Sequence, residues 1–433
     1  MIDELAWLIM AVDPRRFAHA EPMYPVHHRK KVPFHPLLKM PEAFAARATR
    51  IQTLEREMGR FIPRAEDYFE VISEARAVNI HRSISLEGNQ LSENQVRRIT
   101  RDSMAGHEPK FPGGKKRKDA QEVLNHIGFW SQPDFLPPPW TIDSIALAHV
   151  ILLDGVENDE LRGRFRGPES DPWVIVSDVK EELFIAAGGG HVREELESLL
   201  AWLNSMGEGL FPVVAAAVFF HEFESIHPFK DGNGRTGRAL FHAYVQQHGL
   251  PNSHLCPIEP ALLDDRELYY RVLSWTDSKG DYTTLIDFFM DAVLQAYETA
   301  HERLQSKDIL STGIDEVDKR LLTKAREERA WFSVTKATSW IAGRGEQTLR
   351  KRLNNLVDEG ALETVGKTRS KRYRFPDPIT VIRHDREWKA EALREMAERR
   401  AEDDADNMAE LARSIRKENS KTPAARQARA SGD

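Results

Sequence analysis

Twelve consecutive residues, His227-Pro-Phe-Lys-Asp-Gly-Asn-Gly-Arg-Thr-Gly-Arg238, bring together a proton acceptor, a carboxylate, three glycines and two arginines. These types at this spacing suit one task, holding a polyphosphate and its metal ion beside a base. Gly232, Gly234 and Gly237 allow positive φ or close approach of the backbone to a ligand. Arg235 to His248 reads as a helix, with Gly249-Leu-Pro251 as its stop signal. The turn therefore aims unpaired N–H groups and the positive end of a helix dipole at one spot, an anion site. Arg235 and Arg238 are three apart, close enough on the helix for both to reach that anion. Asp231 suits Mg²⁺, a hard cation that takes one or two carboxylates plus substrate phosphates. His227 needs little tuning to act as a base near neutral pH. Plainer roles compete at three positions: Phe229 as a core anchor, Thr236 as a helix-start residue and Asp231 as a helix cap.

The twelve residues resemble the signature of the Fic family of nucleotidyltransferases, His-Pro-Phe-x-Asp/Glu-Gly-Asn-Gly-Arg-x-x-Arg, and match every specified position. The resemblance implies Mg²⁺-dependent transfer of AMP from ATP to a hydroxyl of a target protein. On that pattern His227 takes the hydroxyl proton and Asp231 carries Mg²⁺. Asn233 and the turn amides around Gly232 and Gly234 hold the α-phosphate, while Arg235 and Arg238 hold the β/γ end. Self-modification fits the same site, as do removal of AMP and transfer of UMP or phosphocholine.

Upstream, Ser83-Ile-Ser-Leu-Glu-Gly-Asn89 read alone is a helix that ends at Gly88. Beside the signature, Ser83-x-x-x-Glu87-Gly88 resembles the family's inhibitory motif. The resemblance implies that Glu87 pairs with Arg238 where a γ-phosphate would sit, and an Arg–carboxylate pair can be bidentate. Gly163-Arg-Phe-Arg166 resembles the segment before the family's flap. Pro172–Val176 and Leu183–Ile185 flank a polar turn as a hairpin does, and the resemblance implies that this flap pairs with an extended target segment, a form of strand addition. Gly188–Glu194 departs from the proline-rich stretch common among relatives. Tyr269 and Tyr270 resemble adenine-pocket positions, with helical core packing as the plain alternative.

The surrounding elements must position these residues. Helices are expected over Pro41–Met58, Pro63–His81, Gln90–Arg101, Asp119–Trp130, Ile142–Leu153, Glu194–Asn204 and Leu285–Leu304. Phe211-Pro212 opens another, apolar nearly all round and therefore central. His149, a lone histidine on an apolar face, reads as a satisfied core residue. His221 and His227 are six apart, the wrong spacing for a shared zinc on one helix face. Residues 1–45 read as an irregular cover, and Gly113–Lys118 as a solvated basic loop.

Gly313–Phe375 reads as a winged helix. Arg350, Lys351 and Arg352 on its second helix, with Lys367, Arg369, Lys371 and Arg372 in the wing, form a DNA footprint. Protein contacts or a homodimer are the other uses of such a module. The expected whole is mainly α, a Fic-type helical bundle core with a small β-hairpin flap plus a C-terminal winged-helix domain. Its domains are 1–118 with the inhibitory motif, 119–305 as the Fic catalytic core, 313–376 as the winged helix and 377–433 as a charged helical or disordered tail. Trp388–Arg416 is the helical part of that tail.

At 433 residues and 41% hydrophobic content, the chain can bury more than one core. A net charge of −7 and a pI near 6.2 argue against wholesale coating of nucleic acid. A single cysteine, Cys256, excludes an internal disulfide or a multi-cysteine zinc site. The acidic start and the lack of any long apolar run point to a cytoplasmic protein off the membrane.

Overall fold

The structure, a computed structural model, describes residues 12–21, 25–29, 31–61, 65–107, 116–130, 136–158, 160–176, 182–308, 314–328, 330–367 and 370–375. All of them belong to one compact unit within Met1–Ile382. The second unit, Arg383–Asp433, lies outside the described residues, as do Gly113–Lys115, Arg369 and the Trp388–Arg416 segment.

Ten helices of the first part are α1 (Phe44–Met58), α2 (Ala65–Leu86), α3 (Glu93–Met104), α4 (Lys116–Trp130), α5 (Ile142–Leu152), α6 (Val192–Leu203), α7 (Pro212–Ile226), α8 (Asn233–Gln247), α9 (Ile258–Leu263) and α10 (Arg266–Lys279). The long α11 (Thr283–Ser306) closes this bundle. The apolar α7 lies at its centre, with Val213 to Phe220 all buried, and packs against α6, α8 and α11. A helix without a polar face has no stable place at a surface, so the others wrap it. Pro212 at its first turn lacks only an N–H that would have no helical partner there.

Local sequence sets the helix ends that matter for the site. Thr141 and Ser144 form a reciprocal capping box on α5, and Ser92 and Gln95 do so on α3. Gly88 ends α2 in the left-handed region, φ 92°. There the Asn89 N–H donates to the Ile84 carbonyl (3.1 Å) and the Gly88 N–H to that of Ser85 (3.2 Å). This pair of bonds is a Schellman cap, which makes Glu87 the residue at the helix boundary.

The flap is a hairpin of β2 (Val174–Val176) and β3 (Glu182–Ile185), antiparallel with Ile175 opposite Phe184. A third strand, β1 (Val26–His27), pairs parallel with β3. Expecting only irregular cover over residues 1–45 was therefore incorrect, because two residues are too few to show an alternating pattern. The basic run was also misread in part: Lys116–Lys118 form the first turn of α4.

After α11 come α12 (Glu316–Glu328), α13 (Val334–Trp340), α14 (Glu346–Asp358) and an antiparallel pair, β4 (Glu363–Val365) and β5 (Arg372–Arg374). They enclose their own small core of Leu321, Leu322, Leu349, Leu353 and Tyr373, and Phe332 bridges to Tyr373. No helix among the described residues is long and apolar enough to cross a membrane.

Candidate active site

The signature forms the turn between α7 and α8. His227 follows α7 with φ 51° and ψ 62°, the only non-glycine residue with positive φ among those described. Such a conformation costs energy that the surroundings must offset. Here the His227 N–H donates to the Phe223 carbonyl (2.9 Å), and Arg166 Nε donates to the His227 carbonyl (2.7 Å). The same guanidinium donates to the carbonyls of Ala187 (2.7 Å) and Ile226 (3.0 Å), and the Arg166 N–H donates to that of Pro228 (2.8 Å). Arg166 thus ties the end of the flap to the turn between α7 and α8.

On the His227 ring, Nδ1 lies 3.3 Å from the Glu224 carbonyl. A carbonyl only accepts, so Nδ1 carries the proton and Nε2 presents its lone pair. Burial, aided by Arg166, lowers the imidazole to about 4 and keeps it neutral at pH 7.

The floor of the turn is rigid. Phe229 is fully buried, its N–H donates to Asn233 Oδ1 (2.8 Å), and Asn233 Nδ2 donates to the Phe229 carbonyl (2.8 Å). His149 stacks on the Phe229 ring with centroids 3.8 Å apart. The Gly163 N–H donates to His149 Nδ1 (2.9 Å), so Nε2 carries the proton toward the Asp231 carbonyl at 2.9 Å. His149 is thus a core residue, as expected, and it also holds Asp231 in place.

The Asp231 carboxylate is half exposed, its side chain 51% accessible. It accepts from the Gly232 N–H (2.7 Å) and from Arg235 Nη2 (2.8 Å). Burial works against its charge, but Arg235 and the Gly232 N–H outweigh this and hold its pKa below the ordinary value. No group of three His, Cys, Asp or Glu side chains among the described residues could hold a metal alone. A single ionised, accessible carboxylate fits Mg²⁺ that arrives with phosphates as its other ligands.

The two arginines differ in their partners. Arg235 also reaches Glu122 of α4 (2.5 Å), and Asn89, just past the end of α2, donates to the other oxygen of that carboxylate (2.6 Å). Arg238 is 4% exposed and donates from Nε to Ser83 Oγ (2.8 Å). Its Nη2 donates to the Ser83 carbonyl (2.9 Å) and to Glu87 Oε1 (2.8 Å). Ser83 and Glu87 are four apart on one face of α2, which is why one guanidinium reaches both. The geometry differs from a bidentate fork: Glu87 makes one contact, through Nη2, and Ser83 takes the Nε donor and a second bond from Nη2.

Glu87, Glu224, His227 and Arg238 line one cavity with Tyr269 and Tyr270, about 860 Å³ counting its open mouth. Ile175 and Phe184 of the flap lie over it. Tyr269 is buried, whereas Tyr270 is 40% exposed and meets it edge-on. At the far wall His221 stands between Glu222 (3.1 Å) and Asp277 (3.5 Å). Burial opposes its charge, yet the two carboxylates prevail and push it up to about 9. Sequence reasoning assigned no role to Arg166, Glu122 or Glu224: the partners of Arg166 and Glu122 lie on other elements, and no local pattern announces the burial of Glu224.

Residues 139–245, which include the whole turn, match the Fic/DOC family. That stretch is what the chain shares with the Fic/DOC family. Among named relatives, the "Protein adenylyltransferase Fic" of Aedes aegypti is 28% identical over 229 residues, covering 50% of this chain and 40% of that protein. The protein of the same name from Nematostella vectensis is 28% identical over 260 residues, covering 57% of this chain and 55% of that one. The chain thus spans about half the length of the curated relatives it matches. A Fic family protein from Desulfovibrio desulfuricans superposes with a TM-score of 0.51 at 24% identity, covering 79% of this chain and 98% of the other. This establishes a mainly helical Fic fold with small sheets beside it.

Proposed function

We propose that the protein transfers AMP from ATP to a hydroxyl of a protein target and that Glu87 restrains it. The observation that carries this reading is the Glu87–Arg238 pair at 2.8 Å, in the cavity that also holds the free Nε2 of His227. His227 accepts the hydroxyl proton. The N–H groups at the start of α8, those of Asn233, Gly234 and Arg235, face the α-phosphate, where they stabilise its developing charge. The Asn233 side chain contributes by fixing the turn through Phe229. Asp231 holds Mg²⁺, which neutralises phosphate charge when bound. Arg238 takes the γ-phosphate once Glu87 leaves, because the Glu87 carboxylate occupies the place beside Arg238 that the phosphate needs. Tyr270 and the flap residues Ile175 and Phe184 enclose the adenine, with Tyr269 behind them.

The test is incubation with ATP and Mg²⁺, followed by mass spectrometry of the chain and of co-incubated proteins. An AMP adduct present in Glu87→Gly and lost in the Glu87→Gly, His227→Ala double variant supports the reading. A UMP or phosphocholine adduct formed from those donors, with none from ATP, overturns it, as does adduct formation without His227.

For the C-terminal elements we propose a winged helix whose α14 meets duplex DNA. Lys351, Lys367 and Arg372 are exposed on α14 and the wing, whereas Arg352 is tied to Asp315 and Asp318 (both 2.8 Å). A gel shift that Lys351→Glu with Arg372→Glu removes supports this, and retention of the shift in that variant contradicts it.

A further inference from the structure

Gly234 and Gly237 lie three apart on α8, and each leaves room that a carboxylate oxygen fills. A Cβ on Gly234 would collide with Glu87 Oε1, and one on Gly237 with Glu224 Oε1. Two acidic side chains therefore rest on the same face of one helix turn, on the wall of the cavity described above. Only Glu87 has a cation bonded to it. Glu224 Oε1 is sealed from solvent and has no hydrogen-bond partner among the described residues.

An oxygen in that condition is costly unless something else completes it. The charged and titratable groups around it are Arg238 of α8, Glu87 beyond α2, His221 on its own α7, and Tyr269 and Tyr270 of α10. The flap side of the cavity, at Ile175 and Phe184, is apolar. Burial is the main cause that raises the Glu224 carboxyl to about 8, and Glu87 adds to it, while Arg238 and His221 work against it. At pH 7 the group is thus an acid with a hydrogen to give. Its neighbour Glu87 occupies the position assigned above to a phosphate.

We propose that Glu224 is a nucleotide-binding residue, donating its acid hydrogen to a phosphate oxygen of the bound nucleoside triphosphate beside Arg238. This rests on the nucleotide reading of the cavity and adds to it a contact on α7. A carboxylate there would repel the phosphates, so the contact exists only while the group keeps its proton. The amide of glutamine donates in the same place without titrating.

The experiment is calorimetric titration of Mg²⁺·ATP into Glu87→Gly, Glu87→Gly/Glu224→Gln and Glu87→Gly/Glu224→Ala, each full length, at pH 7.0 and 9.5. Affinity of the single variant falls about tenfold from the lower to the higher pH, the worth of one charge-assisted hydrogen bond. The glutamine variant rescues binding at pH 9.5 relative to the single variant, and the alanine variant is about tenfold weaker at pH 7.0. His221 also titrates in this window but is common to all three proteins, so it cancels in the comparison. An alkaline loss as large in the glutamine variant as in the single variant overturns the inference while leaving the nucleotide reading intact. A Glu87→Gly protein that binds no Mg²⁺·ATP at either pH overturns both.

Discussion

At the scale of single residues, the turn works because each side chain is held in one state. The Glu224 carbonyl fixes the His227 tautomer, and burial keeps the ring neutral down to about pH 4. A base is in its active form above its pKa, so the transfer rate of Glu87→Gly stays level from pH 7 down to about pH 5. A rate–pH profile with an acid limb centred near 6.5, the ordinary value for histidine, contradicts this assignment. Arg166 touches neither nucleotide nor acceptor in this account and acts by holding the His227 carbonyl. Arg166→Ala in the same background should lower kcat about 10-fold or more while KM for ATP changes little, because displacement of a catalytic group costs rate before binding. A KM rise with kcat preserved would place Arg166 in binding instead.

At the scale of elements, the C-terminus of α2 and the N-terminus of α8 meet through one guanidinium, and the cap on α2 sets how firmly. Gly88 at φ 92° ends the helix so that Glu87 points at Arg238. Gly88→Ala meets no steric neighbour but strains the backbone, at about 1 kcal/mol, and loosens that aim. Its transfer rate should fall between wild type and Glu87→Gly, measured with labelled ATP; a rate equal to wild type shows that the cap is not part of the restraint. Much at this scale was legible in sequence. The dense local signature and the apolar run Val213–Phe220 pointed to the turn and the central helix, whereas the Glu87–Arg238 pair followed only from the resemblance and not from the Ser83–Glu87 stretch read alone. The two-residue β1 was not legible, nor was the link from Asn89 through Glu122 to Arg235, because neither has a local periodicity. The single-contact geometry of the pair was not legible for a related reason: Ser83 takes the Nε side of the fork, and the motif does not show which donors it takes.

At the scale of the whole molecule, buried titratable groups set a stability optimum. His126, His149, His227 and His254 are lowered by burial from 6.5 to about 4, so the unfolded chain binds more protons between those values. Stability therefore rises with pH from about 4 to 6.5. Glu224, raised from 4.5 to about 8, acts in the opposite sense, as do Glu55 and Asp264, also raised by burial, but the four histidines outnumber them. Above 6.5 the histidines contribute no further slope. Glu224 and His221, the latter raised from 6.5 to about 9, then both lower stability as pH rises. The melting temperature should peak near pH 6.5, and Glu224→Gln should flatten the alkaline side. A Tm still rising between pH 7 and 9 contradicts those assignments.

The proposed function depends on Glu87 and the nucleotide competing for Arg238. The most direct measurement is the initial rate of AMP incorporation from α-labelled ATP in wild type, Glu87→Gly and Glu87→Gly/Arg238→Ala, side by side. The account predicts at least about a tenfold rise on removal of Glu87, equivalent to ~1.4 kcal/mol in the barrier, and loss of that rise when Arg238 is also removed. Equal rates in wild type and Glu87→Gly, or a rise that survives without Arg238, would contradict it.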